Sequence, residues 1–467
     1  MDFLIVLGAL CFLMLVAYRG YSVILFAPIA AMGAVLLSDP SLVAPMFTGL
    51  FMDRMVGFLK LYFPVFLLGA VFGKLIEISG FSRSIVAATI RVVGAKRAML
   101  AIVLVCALLT YGGVSLFVVV FAVYPFAAEL FRQGDIPKRL IPGTIALGAF
   151  TFTMDALPGT PQIQNIIPTA FFGTNAWAAP VLGTLGGVFI LIVGMLYLEW
   201  RRRVAQAAGE GYGDPAVLLN EPAPFTGERL AHPLVSLLPL LLVGLSNLLF
   251  TRWVPALYGA SHAFVPAVVG DPAPVVQEVP KVAAIWAVQG ALLVGIATIL
   301  VFAWKPVFAS FAEGTKSAIG GALLASMNTA SEYGFGAVIA ALPGFLVVAN
   351  VLGAIPDPLV NEAITVTALA GITGSASGGM SIALAAMAET FIANANAAGI
   401  PMEVLHRVAS MASGGMDTLP HNGAVITLLA VTGLTHRQSY KDIFAITLIK
   451  TAAVFVIIAL FYATGLV

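Results

Sequence analysis

Apolar runs long enough to cross a bilayer recur from one end of this 467-residue chain to the other, and no other feature limits its fold so severely. A bilayer's hydrocarbon core is about 30 Å thick, which a helix of roughly 17–25 apolar residues spans. Spans are expected near 3–18, 21–37, 58–79, 139–173, 176–200, 232–250, 281–304, 310–333, 401–433 and 442–464. Charged residues make up 10% of the chain, against about 25% in soluble domains. The expected class is an all-α polytopic membrane protein. Net charge is +1, which gives no bulk attraction to nucleic acid. Cys11 and Cys106 both fall in apolar runs and read as small core residues, so neither a disulfide framework, a metal site nor a cofactor is expected. The first apolar run lacks the basic flank and cleavage site of a signal peptide and reads as a retained span.

Lysine and arginine set the expected orientation, because cytoplasmic loops are enriched in them. Arg201, Arg202 and Arg203 open a hydrophilic stretch, 201–231, which reads as a cytoplasmic linker too short to be a domain. Arg19, Lys96, Arg97, Arg132, Lys138, Arg139, Arg437 and Lys441 fall on the same side, and 174–176 and 251–280 on the other. Both termini are then expected outside. On that topology 98–131 has both ends inside, and its first thirteen residues rise only about 20 Å. It reads as a re-entrant hairpin with its tip at Thr110-Tyr111-Gly112-Gly113. The stretch 360–398 reads as a second hairpin entering from outside, with its tip at 373–381.

The two halves repeat each other. YGGVS at 111–115 matches SGGMS at 377–381, DIPKRL at 135–140 matches GIPMEV at 399–404, and MDALP at 154–158 matches MDTLP at 416–420. With opposite hairpin orientations, residues 1–200 and 232–467 read as an inverted-topology repeat, each copy holding one re-entrant hairpin and one broken transmembrane helix, 139–173 and 401–433. Secondary transporters place their sites where such breaks meet near mid-membrane, since unpaired backbone is tolerated there only against protein or a wet cavity. Pro158 and Pro420 are expected to open half-helices. The positive ends of those helices, with those of the hairpins, would suit an anion without a buried Arg or Lys.

The candidate residues follow from that geometry. Asp155, Asp417 and His421 are the proton-coupling candidates, because ionisable groups inside a membrane are expensive and usually functional. Thr160, Gln162, Asn165, Thr418 and Asn422 offer the donors and acceptors that ligand hydroxyls need. At the tips, Thr110, Tyr111, Gly112, Gly113, Ser115, Ser375, Ser377, Gly378, Gly379 and Ser381 complete the substrate-binding set, with glycine N–H groups cradling a carboxylate. Glu332 reads as an interfacial or scaffold residue, and His232, His262, His406 and His436 as loop or span-end residues without a role.

The blocks SGGMDTLPHNGAVITLLAVTGL and ALPGTPQIQNIIPT, with the hairpin pair, resemble the gluconate:proton symporter family, the GntP-type permeases of the ion-transporter superfamily. ALPGTPQIQN is closer to the hydroxybutyrate-permease branch. The resemblance implies elevator-type import of a small hydroxylated monocarboxylate (gluconate, glycerate, 3-hydroxybutyrate or D-serine) by proton symport, in a homodimer of the bacterial cytoplasmic membrane. Sodium coupling and an anion channel are the rival readings. An intramembrane enzyme is disfavoured, because H-E-x-x-H, G-x-S-x-G and a Walker loop are all missing from the sequence.

Overall fold

The computed structural model describes all residues except 1, 20, 95–96, 215–216, 223–229, 266–272, 348–354 and 421. His421, one of the proton-coupling candidates, therefore lies outside the described residues. The first half runs α1 (Asp2–Tyr18), α2 (Val23–Ser38), α3 (Val43–Met46), a π turn over Phe47–Phe51 and α4 (Met52–Ile78). It continues with α5 (Phe81–Val93), α6 (Ala98–Tyr111), α7 (Leu116–Gln133), α8 (Ile141–Ala149), α9 (Phe152–Asp155), α10 (Ile163–Phe172) and α11 (Pro180–Ala207). The second half holds α12 (Pro233–Tyr258), α13 (Ala283–Phe302), α14 (Trp304–Ala341) and α15 (Pro358–Thr373). It ends with α16 (Ala376–Ala397), α17 (Met402–Ser413), α18 (Gly423–Thr432) and α19 (His436–Thr464).

This is an all-α polytopic membrane protein. Among the described residues six helices are long and apolar enough to cross a membrane, α11, α12, α13 and α19 included. Large apolar side chains such as Leu4, Leu25, Leu36, Leu196, Leu241 and Val301 point outward, as lipid-facing surfaces require. Strand structure among the described residues is one short antiparallel pair, β1 (Ser261–Phe264) with β2 (Val275–Glu278), in the loop between α12 and α13.

Both hairpins form. Helix α6 is 14 residues long, about 21 Å, and α7 doubles back along it after a tip at 112–115. Helices α15 and α16 do the same around Gly374 and Ser375. Ser375 caps α16 by accepting from the Gly378 amide at 3.0 Å, and Asp357 caps α15 through the Val360 amide at 2.8 Å, which gives orphan N–H groups a partner. Both broken helices form as well, but their prolines do not open the second halves. Helix α10 starts five residues after Pro158 and α18 three after Pro420. An amide side chain, Gln162 or Asn422, stands at each N-cap instead. Both half-helices are ten residues long and end on a left-handed glycine, Gly173 at φ 63° and Gly433 at φ 68°, a conformation open to glycine without strain.

Other boundaries move for identifiable reasons. Amphipathic α5 was hidden by its polar residues. The span expected at 310–333 is part of the 38-residue α14, so Glu332 lies inside a helix and is buried rather than interfacial. Helix α4 packs along α14 and α12 along α13, while α11 packs against α19. The hairpins and broken helices interlock: α10 against α16 and α17, and α18 against α7 and α8. The 201–231 segment is tied down at one end of the bundle, where Lys138 pairs with Glu221 at 2.8 Å and Arg139 forks onto Glu210 at 2.6 and 2.7 Å. Arg139 and Arg201 both reach Asp442 there, at 3.3 and 2.6 Å.

Candidate functional site

Each break is stitched to the hairpin tip of its own half. In the first half, Gln162 Nε2 donates to the Thr110 carbonyl at 2.7 Å and the Val114 carbonyl at 3.3 Å. The Tyr111 hydroxyl donates to the Pro158 carbonyl at 2.8 Å. In the second half, Asn422 Nδ2 donates to the Gly374 carbonyl at 2.7 Å, while its Oδ1 accepts from the Ala424 and Val425 amides at 2.6 and 3.0 Å. One amide side chain thus caps a half-helix and holds a tip carbonyl, which works because an amide both donates and accepts.

The two breaks meet around buried charge. Lys450, 2% exposed on α19, donates to the Phe150 carbonyl at 3.1 Å where α8 ends, and forms an ion pair with Asp417 in the second break. Asp155, 3% exposed, closes the first break, with its carboxylate against Gly414. It lies within electrostatic reach of Lys450, Asp417 and Arg407. Arg407, wholly buried on α17, donates to the Asp155 carbonyl at 2.8 Å, to the Ala178 carbonyl at 2.7 and 3.2 Å, and to Asn165 Oδ1 at 3.1 Å. Asn165 passes the network on: its Nδ2 donates to the Thr160 and Ala176 carbonyls at 2.9 Å, and its Oδ1 also meets His406 Nε2 at 3.3 Å. His406 Nδ1 in turn meets the Thr174 hydroxyl at 2.6 Å.

The expectation of an anion site without buried Arg or Lys is corrected by Arg407 and Lys450. Both were legible as single charges inside apolar runs, HRVASM and LIKTAAVF, and an intramembrane charge is a functional candidate by default. His406, read as a span-end residue, is fully buried in the same network.

The structure gathers Asp155, Gln162, Asn165, Tyr111 and Thr110 around the first break, and Asp417 and Asn422 around the second. The Thr418 hydroxyl is engaged by that of Thr447 on α19, 2.5 Å away. Ser377 and Gly378 face α14 rather than the breaks, Ser377 through the Thr329 hydroxyl at 3.2 Å. Ser115 stands at the N-cap of α7 without a side-chain cap bond. The amides of Gly112, Gly113, Gly378 and Gly379 all donate within their own hairpins in this conformation. The Thr110 and Thr160 hydroxyls and Gln164 Oε1 are buried without a partner among the described residues. Such groups are rare unless a ligand or water completes them. No group of three or more His, Cys, Asp or Glu that could hold a metal occurs among the described residues.

The chain is 61% identical over 475 aligned residues to an uncharacterized transporter of Bacillus subtilis, YxjC, with all of both chains covered. The chain belongs to the YxjC transporter family. No protein-family model matches it. Among solved structures, the YdaH transporter of Alcanivorax borkumensis, whose crystal structure is described as revealing an unusual topology, superposes with a TM-score of 0.50. At 15% identity, with 92% of this chain and 90% of that one covered, the likeness concerns the fold alone. Membership of the YxjC family makes this protein an integral membrane transporter.

Proposed function

We propose that the protein imports a small hydroxylated monocarboxylate (gluconate, 3-hydroxybutyrate, glycerate or a similar acid) by proton symport, through alternating access. The observation that carries this reading is the Lys450–Asp417 pair at the meeting of two broken helices, with Asp155 beside it. A proton taken up by Asp417 cancels the charge that holds Lys450. The ammonium, still anchored to the Phe150 carbonyl, then lacks a counter-charge, and the substrate's carboxylate supplies one. Proton and anion enter as a neutral pair, so the buried lysine keeps one counter-charge throughout. Thr110, Thr160 and Gln164, unpartnered at the first break, are suited to the substrate's hydroxyls. Gln162, Asn165 and Asn422 present amides that could exchange backbone carbonyls for ligand groups during the cycle.

On this reading 1–200 and 232–467 are inverted repeats, the hairpins and broken helices are the moving unit, and α4, α12, α13 and α14 belong to the frame of a homodimer, with both termini outside. Purified protein in liposomes is the test. Accumulation of gluconate or 3-hydroxybutyrate should follow an imposed pH gradient, saturate and stop when the gradient is collapsed. Uptake that follows a sodium gradient and ignores pH would replace the proton with Na⁺. Ion conductance far above carrier rates would replace the carrier with a channel.

A further inference from the structure

The crossing at Asp155, Lys450 and Asp417 leaves one buried acid of the framework unused. Glu332 lies within α14, 3% exposed, and its Oε2 has no hydrogen-bond partner among the described residues. Its carboxyl sits against Gly378 in the first turn of α16, in the space a side-chain carbon at 378 would need. Four residues on in both helices, Gly336 approaches Ile382 in the same way, so α14 and α16 run parallel in fixed register. Thr329 and Ser377 close the seam at 3.2 Å between hydroxyls. Ser331 and Ser381, in the same stretch of the two helices, have buried hydroxyls without partners among the described residues.

Among the described residues no opposite charge pairs with this acid. Helix α4, packed along α14, brings Asp53, Arg54, Lys60, Tyr62, Lys74 and Glu77, and α16 brings Glu389. None of these charged groups forms an ion pair with Glu332 among the described residues, where Lys74 pairs with Glu77 instead, and Arg54 lies beside Tyr333. Helices α2 and α13 and the π turn over Phe47–Phe51, which also pack against α14, carry no charged residue. An ionised carboxylate with no partner is so unfavourable in such surroundings that the group takes a proton instead.

We propose that Glu332 is a second proton-binding site, at the seam between α14 and the α15–α16 hairpin and separate from the Asp155–Lys450–Asp417 crossing. With the seam closed the acid is neutral. Withdrawal of α16 from α14 admits water to the carboxyl, which then gives its proton to that water and remains as a hydrated carboxylate. Glycine at 378 is what allows the closed state, since it lets the neutral acid lie flush against the hairpin. The consequence for transport rests on the carrier reading above, because only a moving hairpin would load and empty the site. The protonation itself does not.

Infrared spectroscopy on the full-length protein in detergent tests it without transport. At neutral pH wild type should show carbonyl stretches of protonated carboxylic acids, and Glu332→Gln, which keeps the shape and removes the proton, should lack one of them. Glu362 on α15 is wholly buried with both oxygens unpartnered among the described residues, and its stretch should survive in that variant as an internal control. Gly378→Ala, which crowds the carboxyl without removing it, should shift the same stretch. A spectrum unchanged by Glu332→Gln overturns the proposal, as does a stretch lost on adding sodium at constant pH, which would make the seam a cation site. In liposomes Glu332→Gln should still exchange gluconate or 3-hydroxybutyrate across the membrane while moving fewer protons per substrate. An unchanged ratio overturns the transport role. Failure of wild type itself to respond to a pH gradient would overturn the symport reading and leave the infrared result to stand by itself.

Discussion

The ammonium of Lys450 joins the Asp417 carboxylate of one broken helix to the Phe150 carbonyl at the end of the other half's α8. A lysine 2% exposed is tolerable only while that carboxylate is ionised or replaced. Asp417→Asn should therefore destabilise the protein by about 3–5 kcal/mol, the usual consequence of leaving one partner of a buried pair uncompensated. It should also abolish accumulation against a gradient. The double variant Asp417→Asn with Lys450→Met should recover much of the lost thermal stability and none of the transport. Thermal unfolding in detergent and liposome uptake separate the two effects. A single variant as stable as wild type, or one that accumulates substrate normally, removes Asp417 from both roles.

Arg407 holds two main-chain carbonyls, those of Asp155 and Ala178, and the Asn165 side chain, all across the first break. A guanidinium does this because its five donors lie in one plane in a fixed fork. Arg407→Lys keeps the charge and loses the fork, and should leave at least one buried carbonyl unpartnered at about 1–3 kcal/mol. A clear fall in melting temperature in Arg407→Lys, deepened in Arg407→Ala, is the expected result. Equal melting temperatures for wild type and Arg407→Lys would mean that positive charge alone is what the site needs.

Much of this fold could be read from the sequence, and the reasons are local. Span length depends on apolar run length, so α1, α2, α13 and α19 fall close to where the runs place them. The hairpins were visible because 98–111 is too short to cross, and the paired breaks because MDALP and MDTLP repeat. The parts that were not legible depend on what lies opposite. Pro158 and Pro420 mark each break, yet the helices restart at Gln162 and Asn422, whose amides reach tip carbonyls distant in sequence, and of the two only Asn422 also caps its helix through its side chain. Glu332 sits at the end of an apolar run when read linearly, and only the approach of Gly378 shows that it faces another helix. Lys450 and Arg407 carried a usable signal as lone charges in apolar helices, but their partners, Asp417 and the Asp155 carbonyl, come from other elements.

Asn422 performs two tasks that substitution can separate. Its oxygen caps α18 and its nitrogen holds the Gly374 carbonyl. Asn422→Asp retains the acceptor and loses the donor, so the cap should survive while the second hairpin's tip is released. Hydrogen exchange should then rise around 373–377 and stay near wild type at 423–428. Asn422→Ala should lose both, with about 1 kcal/mol from the cap alone. Equal exchange in the two variants would show that the tip does not depend on this amide.

At the end of the bundle that carries the 201–231 segment, the Arg139 fork holds Glu210 below its ordinary 4.5. The folded protein then binds that proton more weakly than the unfolded chain. The stabilisation is fully present above 4.5 and disappears as pH falls through the lowered value. The pair is partly exposed, with Glu210 41% accessible, so its worth lies within the roughly 0.2–1 kcal/mol of surface pairs. Glu210→Gln should lower the melting temperature slightly at neutral pH, and the gap should narrow to nothing as the solution is acidified well below the ordinary value. High salt should shrink the gap at neutral pH as well, because exposed pairs are screened. A gap that persists unchanged in acid would mean that Glu210 contributes through packing or a neutral hydrogen bond instead of its charge.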